Sequence, residues 1–143
     1  MKQVRILGIC CNWSPFACYN AAGMTGLNMP SNFRLIRVMC IGRINQALIL
    51  RAFEFGADGI ILLECKDDDC RYGPGPEVGH ENVIRVRKLL HLLGIHQERL
   101  VEHTFGVHEK GVLVQTLWKF AMDIDAMGHL KGKPEGKRER ERP

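Results

Sequence analysis

The chain has 143 residues, of which 45% are hydrophobic and 25% charged; this is the balance of one globular domain and excludes a disordered or fibrous chain. Its net charge of +4 invites a nucleic-acid reading, but residues 129–143 hold six Lys or Arg against three Glu, leaving fourteen bases and thirteen acids in residues 1–128. A nearly neutral body has no electrostatic footprint for nucleic acid, and the apolar stretch at 6–11 is too short for a membrane span or a secretory segment.

Taken in chain order, residues 4–9 (VRILGI) form a short β-branched run that ends at Cys10 and Cys11 and reads as a first strand. Residues 12–32 are irregular. Pro15 and Pro30 bracket 18–27, where one short helix between loops is expected. Residues 33–39 (FRLIRVM) read as a second strand running into Cys40, and 45–55 as a helix with Asn45 as N-cap and Gly56 beyond its end. Residues 59–63 (GIILL) form a third strand running into Glu64 and Cys65.

Asp67, Asp68 and Asp69 follow as a solvated turn without the glycine-punctuated spacing of a calcium loop. Gly73, Gly75 and Gly79, interrupted by Pro74 and Pro76, read as a turn-rich connector and make no strand–GxGxxG–helix unit. A helix is expected over 82–93, a fourth strand over 100–105, and a last helix over 111–127, with Gly128 as its stop. The tail, 129–143, has no apolar face to bury and is expected to be a basic, disordered extension. The domain is therefore assigned to 1–128.

Alternating strands and helices call for parallel strands and right-handed crossovers, hence a small, doubly wound, flavodoxin-like α/β domain with four strands and helices on both faces. In such a sheet every strand ends along one edge, and ligands bind in the crevice beyond it. Cys10 and Cys11 follow the first strand, Cys40 the second and Cys65 the third, with Cys70 in the same loop as Cys65. Residues far apart in sequence are thereby expected to converge.

Six cysteines in a chain without a secretory segment suit a reducing compartment, where thiols bind metal more often than they form disulfides. Four thiolates are the usual ligands of a two-iron or four-iron cluster. Zinc is the chemical rival, because Cys65 and Cys70 (C-x4-C) resemble half of a four-cysteine site; Cys11 and Cys40 supply no second knuckle, yet spacing leaves zinc open. No C-x-x-C dithiol is present, the six histidines share no ligand spacing, and no nucleophile–base constellation stands out.

The strings CNW at 11–13, RVMCIGRI at 37–44, GADGI at 56–60, C-x4-C-R-Y at 65–72, and LLHLLGI with ERL within 89–100 together resemble the delta subunit family of methyl-viologen-reducing hydrogenase. The resemblance covers residues 4–128. It implies a cytoplasmic protein with a two-iron, two-sulfur (2Fe-2S) cluster, set in methanogenesis, that passes electrons between hydrogenase large and small subunits, or a similar input module, and the A subunit of heterodisulfide reductase. It also implies a non-catalytic role within an oxidoreductase complex. The matching cysteines are Cys11, Cys40, Cys65 and Cys70.

Two departures are visible. Where the family carries a cysteine after CNW this chain has Ser14, with Cys18 four residues on, and the turn before the last helix reads Gly106, Val107, His108, Glu109. The expected ligand pool is therefore Cys11, Cys18, Cys40, Cys65 and Cys70, with Cys10 a spare buried thiol. The alternative function is a zinc-stabilised or purely structural interaction module.

Overall fold

A computed structural model of the chain describes residues 3–130. Four strands, β1 (Ile6–Cys11), β2 (Phe33–Val38), β3 (Gly59–Glu64) and β4 (Leu100–Thr104), form one sheet in the order β2-β1-β3-β4. All three strand pairings are parallel. The helices are α1 (Ser14–Met24), α2 (Gln46–Glu54), α3 (Gly75–Leu92) and α4 (Lys110–Met127). This is the expected doubly wound α/β fold.

Strand order and helix position follow from one rule. The chain steps from β1 outward to β2, then back across β1 to β3 and β4; a constant crossover hand puts the connecting helices on opposite faces when the direction reverses. Side-chain alternation supplies each face with a core. Ile6, Cys10, Ile61 and Leu63 pack with Leu113, Leu117 and Ile124 of α4. Ile9, Ile60, Leu62 and Leu100 pack with Ile49 and Phe53 of α2 and Val83, Val86 and Leu90 of α3. Burying each such side chain stabilises the fold by roughly 1.5–3 kcal/mol before entropy opposes it.

Two helices begin earlier than the sequence suggests, for the same reason. Both α1 and α3 carry proline in the first turn, Pro15 and Pro76. The first-turn N–H groups of a helix have no partner inside it, so proline loses nothing there and its fixed φ favours the turn. Residues 75–79, read from sequence as part of a connector, are thus the start of α3.

The amino edge of the sheet is closed by a polar network around Asp58, which is fully buried before β3. Its carboxylate accepts from the backbone N–H groups of Arg5 (2.9 Å) and Leu130 (2.9 Å) and meets His129 Nδ1 at 3.0 Å. Buried Arg99 donates to the carbonyls of Asp58, Gly128 and Met127, satisfying the end of α4. His129 and Leu130, counted with the tail in the sequence, therefore touch the body. Residues 131–143 lie outside the described residues.

Replacing Asp58 with Ala is expected to lower the unfolding free energy by about 2–4 kcal/mol, because each part-buried donor left without an acceptor costs about 1–3 kcal/mol. Urea titration of the variant measures this. Trimming the chain after Leu130 should leave the midpoint unchanged, whereas trimming after Gly128 should lower it.

Candidate metal centre

The strand-order reversal leaves a crevice between the carboxyl ends of β1 and β3, whose onward connections leave in opposite directions. Alternation along β1 separates its two terminal cysteines. Cys10 points into the core shared with α1 and α4, where Cys18 of α1 also lies. Cys11 projects at the crevice, and its Sγ lies 3.3 Å from Cys65 Sγ across the switch point.

Cys40 and Cys70 make a second pair. Cys40 ends the run after β2 and precedes a single 3-10 turn, Ile41–Arg43, while Cys70 ends a similar turn, Asp67–Asp69. Cys70 is close enough to help raise the Cys40 thiol's pKa, and both sulfurs lie against Gly75. A Cβ placed on Gly75 would sit 2.4 Å from Cys40 Sγ and 2.9 Å from Cys70 Sγ, so a side chain there would occupy the space the sulfurs use. The two pairs adjoin: Cys11 Sγ lies 3.9 Å from the Met39 carbonyl, next to Cys40.

Of the expected ligand pool, Cys11, Cys40, Cys65 and Cys70 come together and Cys18 does not. Cys18 is fully buried among apolar side chains, as is Cys10. All six cysteines are free thiols, and Cys70 alone is not fully buried. Among the described residues no three His, Cys, Asp or Glu side chains form a group that could hold one metal ion.

Burial dominates the electrostatics. It pushes the Cys10 thiol up to about 12, with Cys11 adding to the effect. Burial and then the bond to Cys11 push Cys65 up to about 12, opposed by the backbone N–H and hydroxyl of Ser14, which favour its thiolate. Burial raises Cys40 too, opposed by the Gly42 backbone N–H. These N–H and O–H groups oppose burial in favour of the thiolates, as donors near metal-binding sulfurs do.

Side chains beside the cysteines brace the crevice. Trp13 Nε1 donates to the Met39 carbonyl at 3.0 Å, and the Arg71 guanidinium stacks 3.7 Å from the Trp13 ring centroid. The residues flanking Cys11 and Cys70 thus clasp each other over the site. Lys66 pairs with Glu109 at 2.6 Å, tying the loop after Cys65 to the altered turn before α4.

Sequence reasoning did not find the close approach at Gly75, the role of Ser14 or the Trp13–Arg71 stack. It also missed a cavity of about 650 Å³ beyond β3 and β4, lined by Glu64, Glu77, Glu102 and His80 among others, in which His80 pairs with Glu102. The signal available was the Gly-Pro-Gly-Pro run itself, since two glycines spaced around prolines permit close backbone approach as well as turns.

Residues 6–128 match the family model described as methyl-viologen-reducing hydrogenase, delta subunit. The chain belongs to that family. It is 37% identical over 107 residues to the vhc iron-sulfur D subunit of the F420-non-reducing hydrogenase of Methanococcus voltae, covering 75% of this chain and 74% of that one. It is 30% identical over 129 residues to the iron-sulfur D subunit of the F420-non-reducing hydrogenase of Archaeoglobus profundus, 90% of this chain and 94% of that one.

A different kind of relative is the A subunit of the ferredoxin:CoB-CoM heterodisulfide reductase of Methanosarcina mazei, 29% identical over 125 residues. That match takes in 87% of this chain but only 16% of the larger polypeptide. Among the described residues no helix is long and apolar enough to cross a membrane.

Gly75→Ala is expected to force Cys40 and Cys70 apart, cost about 1–3 kcal/mol of strain and cut bound iron by more than half after anaerobic reconstitution. Gly23→Ala is the control, because nothing lies within 4 Å of a Cβ there; its iron content should equal that of the parent chain.

Proposed function

We infer that this chain is an electron-transfer protein holding one two-iron, two-sulfur cluster on Cys11, Cys40, Cys65 and Cys70, and passing electrons between a hydrogenase and the A subunit of a heterodisulfide reductase. The observation that carries the reading is the arrangement of thiols as two adjoining pairs at the switch point. Four thiols grouped two and two suit a binuclear centre, in which each iron takes two protein thiolates. A single zinc would instead need four ligands around one point.

Bound there, such a cluster supplies a one-electron redox couple that the polypeptide lacks. The chain's own part is to hold and tune it. Burial of Cys11, Cys40 and Cys65 keeps water from the sulfurs, and the Ser14 and Gly42 donors stabilise negative charge on sulfur. Cys70, partly exposed, marks the side on which the site approaches the surface. Cys10 and Cys18 serve as small apolar residues of the core.

The relatives named as hydrogenase iron-sulfur subunits support the donor side, and the heterodisulfide reductase relative, which carries a counterpart of this unit within a much larger chain, supports the acceptor side. The hydrogenase contact is proposed with its large and small subunits, in the cytoplasm.

Anaerobically purified protein should be brown and contain about two iron and two acid-labile sulfide per chain. Serine at Cys11, Cys40, Cys65 or Cys70 should lower iron or change the visible spectrum, since a serine oxygen is a harder ligand. Cys10→Ser and Cys18→Ser should keep full iron. A colourless protein with stoichiometric zinc, or iron lost only with Cys18, would contradict the reading. Ser14→Ala removes a hydroxyl that favours the Cys65 thiolate and should make the reduction potential more negative at unchanged iron content, as read by a spectroscopic redox titration.

A further inference from the structure

One side chain joins most of the thiol-bearing segments. Trp13 stands two residues beyond Cys11, and its backbone is fixed from the core: its carbonyl accepts the N–H of Ala17 at 2.9 Å, at the first turn of α1, whose Pro15, Cys18 and Ala22 are buried. From that fixed point the indole reaches two other loops. Its Nε1–H donates to the Met39 carbonyl at 3.0 Å, one residue before Cys40. Its face receives the Arg71 guanidinium at 3.7 Å, one residue after Cys70. The segments carrying Cys11, Cys40 and Cys70 thus meet at one ring, and the segment ending at Cys65 comes to Cys11 through the sulfurs themselves, 3.3 Å apart.

The two links carry unequal weight. The joint between the Cys11 and Cys40 segments is doubled, because the Asn12 N–H also donates to the Val38 carbonyl at 2.8 Å. The Cys70 loop has no such strand pairing. Cys70 ends the single turn Asp67–Asp69, and the bonds from Asp69 to the Lys66 carbonyl and from Gly73 to the Cys70 carbonyl stay within the loop. Cys70 is also the one thiol of the four that is not fully buried. The loop is tied at its start by the Lys66–Glu109 pair and beside Cys70 by Arg71 on Trp13. Indole is the best ring for holding a cation, and a flat guanidinium stacks on it as an ammonium cannot.

We propose that Trp13 is a positioning residue of the metal centre: through Arg71 its ring holds Cys70 beside Cys40 and governs how readily iron escapes from this less buried pair of thiols. This rests on the cluster inferred above and adds which residue retains it. Trp13 supplies no ligand atom; it acts through Arg71 and the Met39 carbonyl.

The test follows iron release from the full chain, purified anaerobically and reduced with dithionite, to the ferrous chelator bathophenanthroline disulfonate. Iron content, circular dichroism and visible spectrum are recorded for each variant before the chelator is added. Arg71→Ala is expected to release iron roughly two- to fivefold faster than the parent, the range set by one cation–π contact near the surface. Trp13→Ala, which loses both links, is expected to release it roughly tenfold faster. The double variant decides the mechanism: because Arg71 acts through the ring, adding Arg71→Ala to Trp13→Ala should not speed release further. In a Trp13→Phe background, which keeps a ring face and lacks the indole N–H, Arg71→Ala should again speed release. A general loosening of the fold would not depend on the ring in this way.

Arg71→Ala that releases iron at the parent rate, or that speeds release equally with and without the ring, would overturn the role of Trp13 and leave the cluster reading intact. If Trp13→Ala does not fold, Arg71→Ala alone and in the Trp13→Phe background decides: faster release in both supports the role, and the parent rate in either contradicts it. A parent chain that binds no iron would remove the cluster reading and this role together.

Discussion

Everything at the site depends on the reversal of chain direction between β1 and β3. Parallel strands deliver their ends to one edge, and because β1 connects outward to β2 while β3 connects outward to β4, the onward connections leave the gap between them in opposite directions. Cys11 and Cys65 end the runs that flank this gap, and their sulfurs meet at 3.3 Å although 54 residues separate them. Cys40 and Cys70 reach the same place from neighbouring loops. The convergence is therefore a property of topology, and the local sequence has only to put a thiol at each strand end.

That division explains what could be seen in the sequence. The four strands, the parallel order and the common edge were legible because β-branched runs ending in cysteine recur with helical segments between them. The inward side of Cys10 and the outward side of Cys11 follow from strand alternation alone. The Cys18 environment was not legible: proline in the first turn of α1 moves the helix start to Ser14 and carries Cys18 into the core at the second turn. The same misreading of proline hid the start of α3, and with it the packing of Gly75 against two sulfurs. A glycine chosen for missing volume looks identical, in sequence, to one chosen for a turn.

Stability and function occupy opposite edges of the sheet. At the amino edge, Asp58 and Arg99 knit the starts of β1 and β3 to the end of α4 by hydrogen bonds to backbone groups. At the carboxyl edge the Lys66–Glu109 pair and the Arg71–Trp13 stack link neighbouring loops, and Ile41 and Ile44 of the loop after β2 are buried. Ser14, at the start of α1, opposes the effect of burial on the Cys65 thiol.

The central claim is that two pairs of thiols hold one binuclear iron centre. Mössbauer spectroscopy of the full chain, purified anaerobically from iron-enriched culture, addresses it most directly because it counts and distinguishes iron sites in place. The account requires that the oxidised protein show one diamagnetic pair of sulfur-coordinated ferric ions, converted on one-electron reduction into one ferric and one ferrous site. A spectrum of isolated iron, of a four-iron cluster, or of no bound iron at all would contradict it.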